Sequence, residues 1–345
     1  MSSMLPQTDS LATGIGGLPH SDPRKACDEV LAIFPEVPYV PTLPARRISE
    51  SIVFCDSPLL PGGVVAADRL TVDRSRDLVT EMERIYLDFV EQNTGPYALT
   101  EKYASGFVEM LGRVLPNPRI LKCQVTGPVT FGMQVVDQDR RPIYYDEQFA
   151  DILPKMLGLR ARWCEQAMRS IPGVTRTVVV LNDPYLSALG SSVIPISRDA
   201  VVSGWQDISS QLDDGLGIHC CSNTDWEFVM ALSPALISFD AYTGSREFLL
   251  YDEALAGYLE SGGVVAWGIV PADYRVFAGE TREDLLQQYR EIRQQVTEYV
   301  TPRLFDSRSL ITPTCGIRFA TEAGAREIME TAAWISSRIR GDQTG

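Results

Sequence analysis

Histidine is nearly absent from this chain: there are two in 345 residues, His20 and His219. Chemistry that relies on several imidazoles is therefore excluded, and each of the two draws scrutiny. Positive charge is also scarce. Lys and Arg number 31 against 45 Asp and Glu, a formal net charge of -14, which argues against nucleic acid or an anionic membrane surface as the main partner. No apolar run reaches the length of a bilayer span, and the first residues, with Pro6 and Asp9, lack the basic-then-apolar pattern of a signal peptide. A cytoplasmic location is the expectation. The seven cysteines are odd in number and scattered, which suits free or metal-bound thiols in a reducing compartment better than a disulfide framework. No composition shift or flexible linker divides the chain. What remains is an ordinary globular composition, 45% hydrophobic and 22% charged, with ample material for a core.

Residues 1–11 read as a flexible tail, and residues 12–345 as one domain. Residues 12–20 read as a short strand breaking into a glycine-rich loop, followed by a helix capped by Ser21 or Asp22 with Pro23 in its first turn. The proline-rich stretch 36–66 gives no clear pattern. Helical spacing returns over 72–92 and 97–114. From Arg119 the rhythm is regular. Apolar strands at 120–125, 177–181, 215–220, 235–239, 263–269 and 310–311 alternate with helices at 147–169, 197–212, 225–232, 245–260, 281–300 and 322–338. Such alternation indicates parallel βαβ units. With the uncertain N-terminal pieces the strand count is about eight, the number that closes a (β/α)8 TIM barrel. A doubly wound open sheet is the structural rival.

In such barrels chemistry sits at the carboxyl ends of the strands. Those ends read His20, Thr126 and Thr130, Asp183, His219 with Cys221, Asp240, Trp267 with Pro271, and Cys315. In a strand, residues i and i+2 share a face, so His219 and Cys221 point together and Cys220 points away. One imidazole and two sulfurs, His219, Cys221 and Cys315, with a fourth position open, describe a catalytic zinc site. Asp240 is a candidate fourth ligand or outer partner. A free thiol, with a pKa of about 8.5, is mostly protonated at neutral pH. Zn²⁺ removes that proton and leaves a nucleophilic sulfur. A soft site with two sulfurs favours a thiol substrate in the open position over hydrolysis by bound hydroxide.

Four motifs occur in order: Ile15-Gly16-Gly17-Leu18-Pro19-His20, Thr126-Gly127-Pro128-Val129-Thr130, His219-x-Cys221 and Pro313-Thr314-Cys315-Gly316. Together they resemble the C-terminal catalytic barrel of cobalamin-independent methionine synthase, within the wider group of uroporphyrinogen decarboxylase-like barrels. The resemblance runs from residue 12 onward. It implies zinc on His219, Cys221 and Cys315, with Asp240 where the family places a glutamate ligand. It also implies that homocysteine is held by the first loop, Ile15, Gly16, Gly17 and His20, and by Asn182 or Asp183, in a run where the family has Asp-Glu-Pro. Trp267 or Trp226 would supply an apolar wall. Gly17 stands where the family has a serine, and Ile317-Arg318-Phe319 departs from the expected continuation. The chain has no room for the family's second, folate-binding barrel. A stand-alone core enzyme of this kind implies a different methyl donor, methylcobalamin or a corrinoid protein partner. The alternatives are a metal-free decarboxylase resembling uroporphyrinogen decarboxylase and a non-catalytic zinc-binding subunit of a methyl-transfer complex.

Overall fold

Short β-branched and apolar runs, each stopped by a polar residue, glycine or proline, become the strands. The computed structural model describes residues 4–191 and 194–342. Among the described residues nine strands are formed: β1 (Leu11–Ala12), β2 (Gly63–Ala66), β3 (Arg69–Val72), β4 (Leu121–Thr126), β5 (Thr177–Asn182), β6 (Gly215–Cys220), β7 (Leu236–Asp240), β8 (Val264–Val270) and β9 (Ser309–Pro313). Seven of them make one curled parallel sheet in the order β1-β9-β8-β7-β6-β5-β4, while β2 and β3 pair antiparallel as a separate hairpin. Parallel neighbours need a crossover, and helices supply it. The helix Glu147–Arg169 lies between β4 and β5, Arg198–Ser209 between β5 and β6, and Arg282–Val296 between β8 and β9.

The helix starts follow from short polar side chains. Asp22 accepts from Arg24 N, which decides between the two candidate caps, and Asp146, Ser197, Asp225 and Thr281 each cap the helix that follows. The segment expected as one helix over 245–260 is two, Ala241–Phe248 and Asp252–Glu260. The one expected over 72–92 begins only at Leu78, because β3 occupies residues up to Val72.

The expected eight-stranded barrel is a seven-stranded curled sheet, and the missing strand has a physical cause. Residues 38–42 lie between the two sheet edges, with Tyr39 bridged to Lys122 and Thr42 bridged to Gly17. Backbone hydrogen bonds join Val40 N to Lys122 O and Thr42 N to Gly16 O. Pro38, Pro41 and Pro44 punctuate this segment. Proline has no N–H to give to a ladder, so single bridges form in place of a strand.

Part of the segment expected as a tail packs against the rest of the chain. Leu5, Thr8, Ser10 and Leu11 are all buried. Thr8 Oγ1 donates to Ser309 O at 2.8 Å, and Ser10 N to Asp306 O at 2.9 Å. Residues 1–3 lie outside the described residues. Among the described residues no helix is long and apolar enough to cross a membrane.

The inner face of the sheet is layered. Its lower part is apolar: Leu5, Leu11, Val178, Val180, Val264 and Leu310 form one cluster. Towards the carboxyl ends the same alternation brings Gln124, Asn182, His219, Ser238 and Thr312 inward. A polar layer over an apolar plug marks where a ligand would sit.

Candidate metal centre

His219 is the fifth residue of β6 and Cys221 follows the strand directly, so the two share the inner face as the period of two requires. Cys315 follows β9. One ligand atom from each of His219, Cys221 and Cys315 lies within 4.8 Å of the others, and among the described residues this is the one group of three or more such side chains. Cys220 turns the other way into the core, fully buried.

The surroundings make His219 a ready ligand. It is 3% exposed, its Nδ1 lies 3.0 Å from Ser238 Oγ, and among the described residues its Nε2 has no hydrogen-bond partner. When Nδ1 holds the proton and donates it to Ser238, the lone pair of Nε2 is left for a metal. The two thiols act on one another. Sharing the Cys315 proton, with the His219 ring close beside it, lowers the pKa of Cys221. Cys315 is pushed up because its S–H serves Cys221, and burial adds to this. An orphaned imidazole nitrogen and a sulfur already inclined to the thiolate are a donor set that fits zinc.

The first loop is brought to this corner. Gly17 O accepts from Ile317 N at 2.7 Å, and a Cβ on Gly316 would lie 3.2 Å from Gly17 N. Two glycines thus let the Ile15–Gly17 loop close onto the turn that carries Cys315. Ile15 is buried, and its carbonyl accepts from Lys122 Nζ at 3.1 Å. Lys122, 2% exposed, has its pKa lowered to about 7 by burial. His20 is fully buried and turns to Glu29, with Nε2 3.1 Å from Glu29 Oε2.

Several expected site residues are placed otherwise. Asp240 lies outside the ligand group. Its Oδ1 accepts from Thr243 N at 3.0 Å and its Oδ2 from Thr243 Oγ1 at 2.7 Å, capping the helix Ala241–Phe248. Burial raises its pKa against those hydrogen bonds. Asp183 is committed too. It is 3% exposed, and its carboxylate accepts from Thr130 N (2.7 Å), Thr130 Oγ1 (2.6 Å) and Val129 N (3.3 Å). Burial outweighs these bonds and holds its pKa up at about 6. A Cβ at Gly127 would lie 2.3 Å from Asp183 Oδ2, so only glycine lets the 126–130 turn wrap this carboxylate. Asp183 N also donates to His219 O at 2.9 Å, tying that turn to the end of β6.

Trp267 is no pocket wall. It has the parity of Val265 and Ile269, which face the helices. It is fully buried, packs on Phe239, Phe248 and Phe305, and donates Nε1–H to Ser309 Oγ at 3.0 Å. Trp226 belongs to the same aromatic core. Reading strand ends alone missed Ser238 and Gln124. Both were detectable as polar residues at inward parity within apolar strands.

No family model and no curated protein matches this chain. Solved structures do match in fold. A B12-independent methionine synthase from Shewanella sp. W3-18-1, in complex with selenomethionine, superposes with a TM-score of 0.60 at 14% identity, over 100% of this chain and 98% of the other. A putative vitamin-B12 independent methionine synthase from Listeria monocytogenes gives 0.55 at 13% identity, over 92% and 86%. The fold is shared over essentially the whole length. A corrinoid donor, expected from the resemblance, finds no support there, since both neighbours are described as B12-independent.

Proposed function

We propose that this protein is a zinc-dependent methyltransferase that methylates a thiol, with homocysteine as acceptor and methionine as product. One observation carries the reading: His219, Cys221 and Cys315 offer three soft or borderline ligand atoms within 4.8 Å at the carboxyl end of the sheet. The likeness in fold to two B12-independent methionine synthases supports it. One of these is described with selenomethionine, the selenium counterpart of the proposed product.

Zinc held by these three residues would supply the Lewis acidity that keeps an acceptor sulfur as thiolate at neutral pH. The chain's own residues do the remaining work. Ser238 fixes the His219 tautomer through Nδ1, which presents Nε2 to the site. Asp183 holds the 126–130 turn against β6 and so fixes the strand end that carries His219. The Ile15–Gly17 loop, pinned by Lys122 and by Ile317, covers the corner beside Cys315. In the transfer, the acceptor gives up its S–H proton to solvent and its sulfur bonds the methyl carbon. The donor's leaving atom keeps the electron pair of the broken bond.

The test is zinc-edge X-ray absorption on purified protein with and without homocysteine, alongside methionine formation with methyltetrahydrofolate and with methylcobalamin supplied separately. The expected result is a first shell of nitrogen and sulfur that gains a sulfur when homocysteine is added. Zinc whose shell ignores homocysteine overturns the acceptor; a chain that retains no zinc overturns the site.

A further inference from the structure

The helix Leu78–Glu91 carries two apolar stripes where one is enough to pack it. Leu78, Met82, Ile85 and Phe89 recur at i, i+4, i+7 and i+11 and turn inward, with Met82 and Ile85 buried. Val79, Glu83, Tyr86 and Val90 repeat that spacing one residue later, with Leu87 beside them. This second stripe is open: Val79 is 63% exposed, Tyr86 40%, Leu87 62% and Val90 80%. A helix that is apolar on two faces is the kind that is covered on two faces.

The stripe stands on a fixed platform. The Tyr86 hydroxyl donates to Asp151, and Lys155 Nζ lies 5.3 Å from the centre of the Tyr86 ring, both on the helix Glu147–Arg169. The β2–β3 hairpin abuts the first turn of the striped helix. Gly62 N donates to Glu81 Oε2 at 2.7 Å, and a Cβ on Gly62 would lie 2.5 Å from Leu78 Cδ2. The hairpin adds two more exposed apolar side chains, Val64 and Val65. Six of the fifteen large apolar side chains exposed among the described residues therefore fall within residues 64–90, which makes a patch and not scatter.

Size and charge select what covers it. The four stripe residues leave on the order of 400 Å² of apolar surface and the hairpin adds to it; one side of a standard interface covers about 800 Å², a little over half of it apolar. A second copy of the same face supplies the matching amount. The stripe is also symmetric about its middle. An antiparallel second helix sets Val79 against Val90 at both ends, and the centre falls at Glu83 and Arg84. Glu83 is the one charged residue within the stripe, and neither it nor Arg84 has an ion-pair partner among the described residues. An apolar partner would bury Glu83 unpaired, which is costly. A two-fold axis brings Arg84 of the second copy beside it.

We propose that this face is the two-fold interface of a homodimer, with the Leu78–Glu91 helices of the two copies packed antiparallel. Val79 of each copy meets Val90 of the other, Tyr86 and Leu87 fill the middle, and Glu83 pairs with Arg84 at two equivalent places across the axis. The interface lies over the helix Glu147–Arg169, on the outside of the sheet. It goes beyond the thiol-methylation reading and is tested independently of it.

The experiment is sedimentation equilibrium of the full chain from about 0.1 to 100 µM, since interfaces of this size reach micromolar affinity or tighter. The expected mass is near twice the 38.2 kDa of one chain. Leu87→Asp and Val90→Lys sit at exposed positions that leave the core of the monomer untouched. Each should weaken the dimer by about a hundredfold or more, because the change counts twice across the axis. Glu83→Arg should weaken it by about tenfold. Glu83→Arg combined with Arg84→Glu should recover that loss, since the pair is remade with its ends exchanged. Wild type that keeps the mass of one chain to the top of the range overturns the proposal. So does a dimer unmoved by Leu87→Asp and Val90→Lys, which would place the contact elsewhere. A double reversal that binds no more tightly than the single one overturns the two-fold pairing.

Discussion

Two polar clusters stand side by side at the carboxyl end of the sheet and are built in opposite ways. Around Asp183 every demand is met: three donors converge on one carboxylate, and a glycine makes room for them. Around His219 the demands are left open. Among the described residues Nε2 has no hydrogen-bond partner, and two sulfurs face each other with a proton to share. A buried carboxylate with donors on both oxygens uses its hydrogen bonds to hold loops in place. An unsaturated imidazole beside two thiols has its capacity in reserve for something not made of protein. The same contrast separates Asp240, both of whose oxygens accept from Thr243, from Gln124, whose amide has no partner among the described residues. Residue type alone does not distinguish binder from brace; the state of satisfaction does.

The largest expected effect tests the open cluster. Cys315→Ser replaces a soft sulfur with a poor zinc ligand. Zinc retained after gel filtration should fall from stoichiometric to near background, with methyl transfer reduced by more than the about 10–100-fold that loss of an outer partner costs. Metal analysis by plasma emission reads this directly. Full zinc in Cys315→Ser would reassign the site.

The saturated cluster should fail differently. Asp183→Ala strands the donors of Val129 and Thr130 in the interior, so unfolding free energy should drop by about 2–3 kcal/mol, while zinc content holds. The carboxyl also leaves a signature in pH. Its folded pKa of about 6 lies above the ordinary 3.8, so the folded chain holds this proton more tightly than the unfolded one. Its contribution to stability is complete below about 3.8 and is lost as pH rises through about 6. Urea denaturation across pH 4 to 7 should show that decline in the wild type and not in Asp183→Asn. A variant with the wild-type slope would place the titration elsewhere.

Most of this contrast in placement was legible in the sequence; the contrast in satisfaction was not. The period of two put His219 and Cys221 together and turned Cys220 away, and the regular strand spacing after Arg119 gave six of the seven sheet strands with their order. The N-terminal quarter resisted, because its prolines suppress the hydrophobic period on which such a reading depends, and its closing segment makes bridges and no strand. Trp267 shows a simpler limit. It lies near a strand end, but its parity with Val265 and Ile269 assigns it to the helix-facing side. Asp183 and Asp240 carry the right chemistry at the right places. Only the donors gathered from residues 129–130 and 243 reveal that both are in use.

Ser238 lies between the two clusters in kind, since it serves the open one while itself being satisfied. Ser238→Ala removes the hydrogen-bond partner of His219 Nδ1, freeing the tautomer and ring orientation. Zinc affinity, measured by competition with a chromophoric chelator, should fall about 10–100-fold, the usual range for an outer partner of a ligating histidine. Catalysis at saturating zinc should be largely kept. No change in affinity would mean that the ring is held by its packing alone.

The smallest effect is the sharpest discriminator between ligand and brace. Asp240 ends β7 and begins the next helix, where its carboxylate takes both Thr243 N and Thr243 Oγ1. Asparagine caps a helix about as well as aspartate, so Asp240→Asn should shift the unfolding midpoint by an amount worth no more than a few tenths of a kcal/mol. An amide oxygen is a far weaker zinc donor than a carboxylate, so the same substitution would cost metal if Asp240 were a ligand. Near-silence in both stability and zinc competition is therefore expected of a cap. Retained stability with lost zinc would move Asp240 out of the satisfied class and into the metal's shell, and the division drawn between the two clusters would have to be redrawn at that residue.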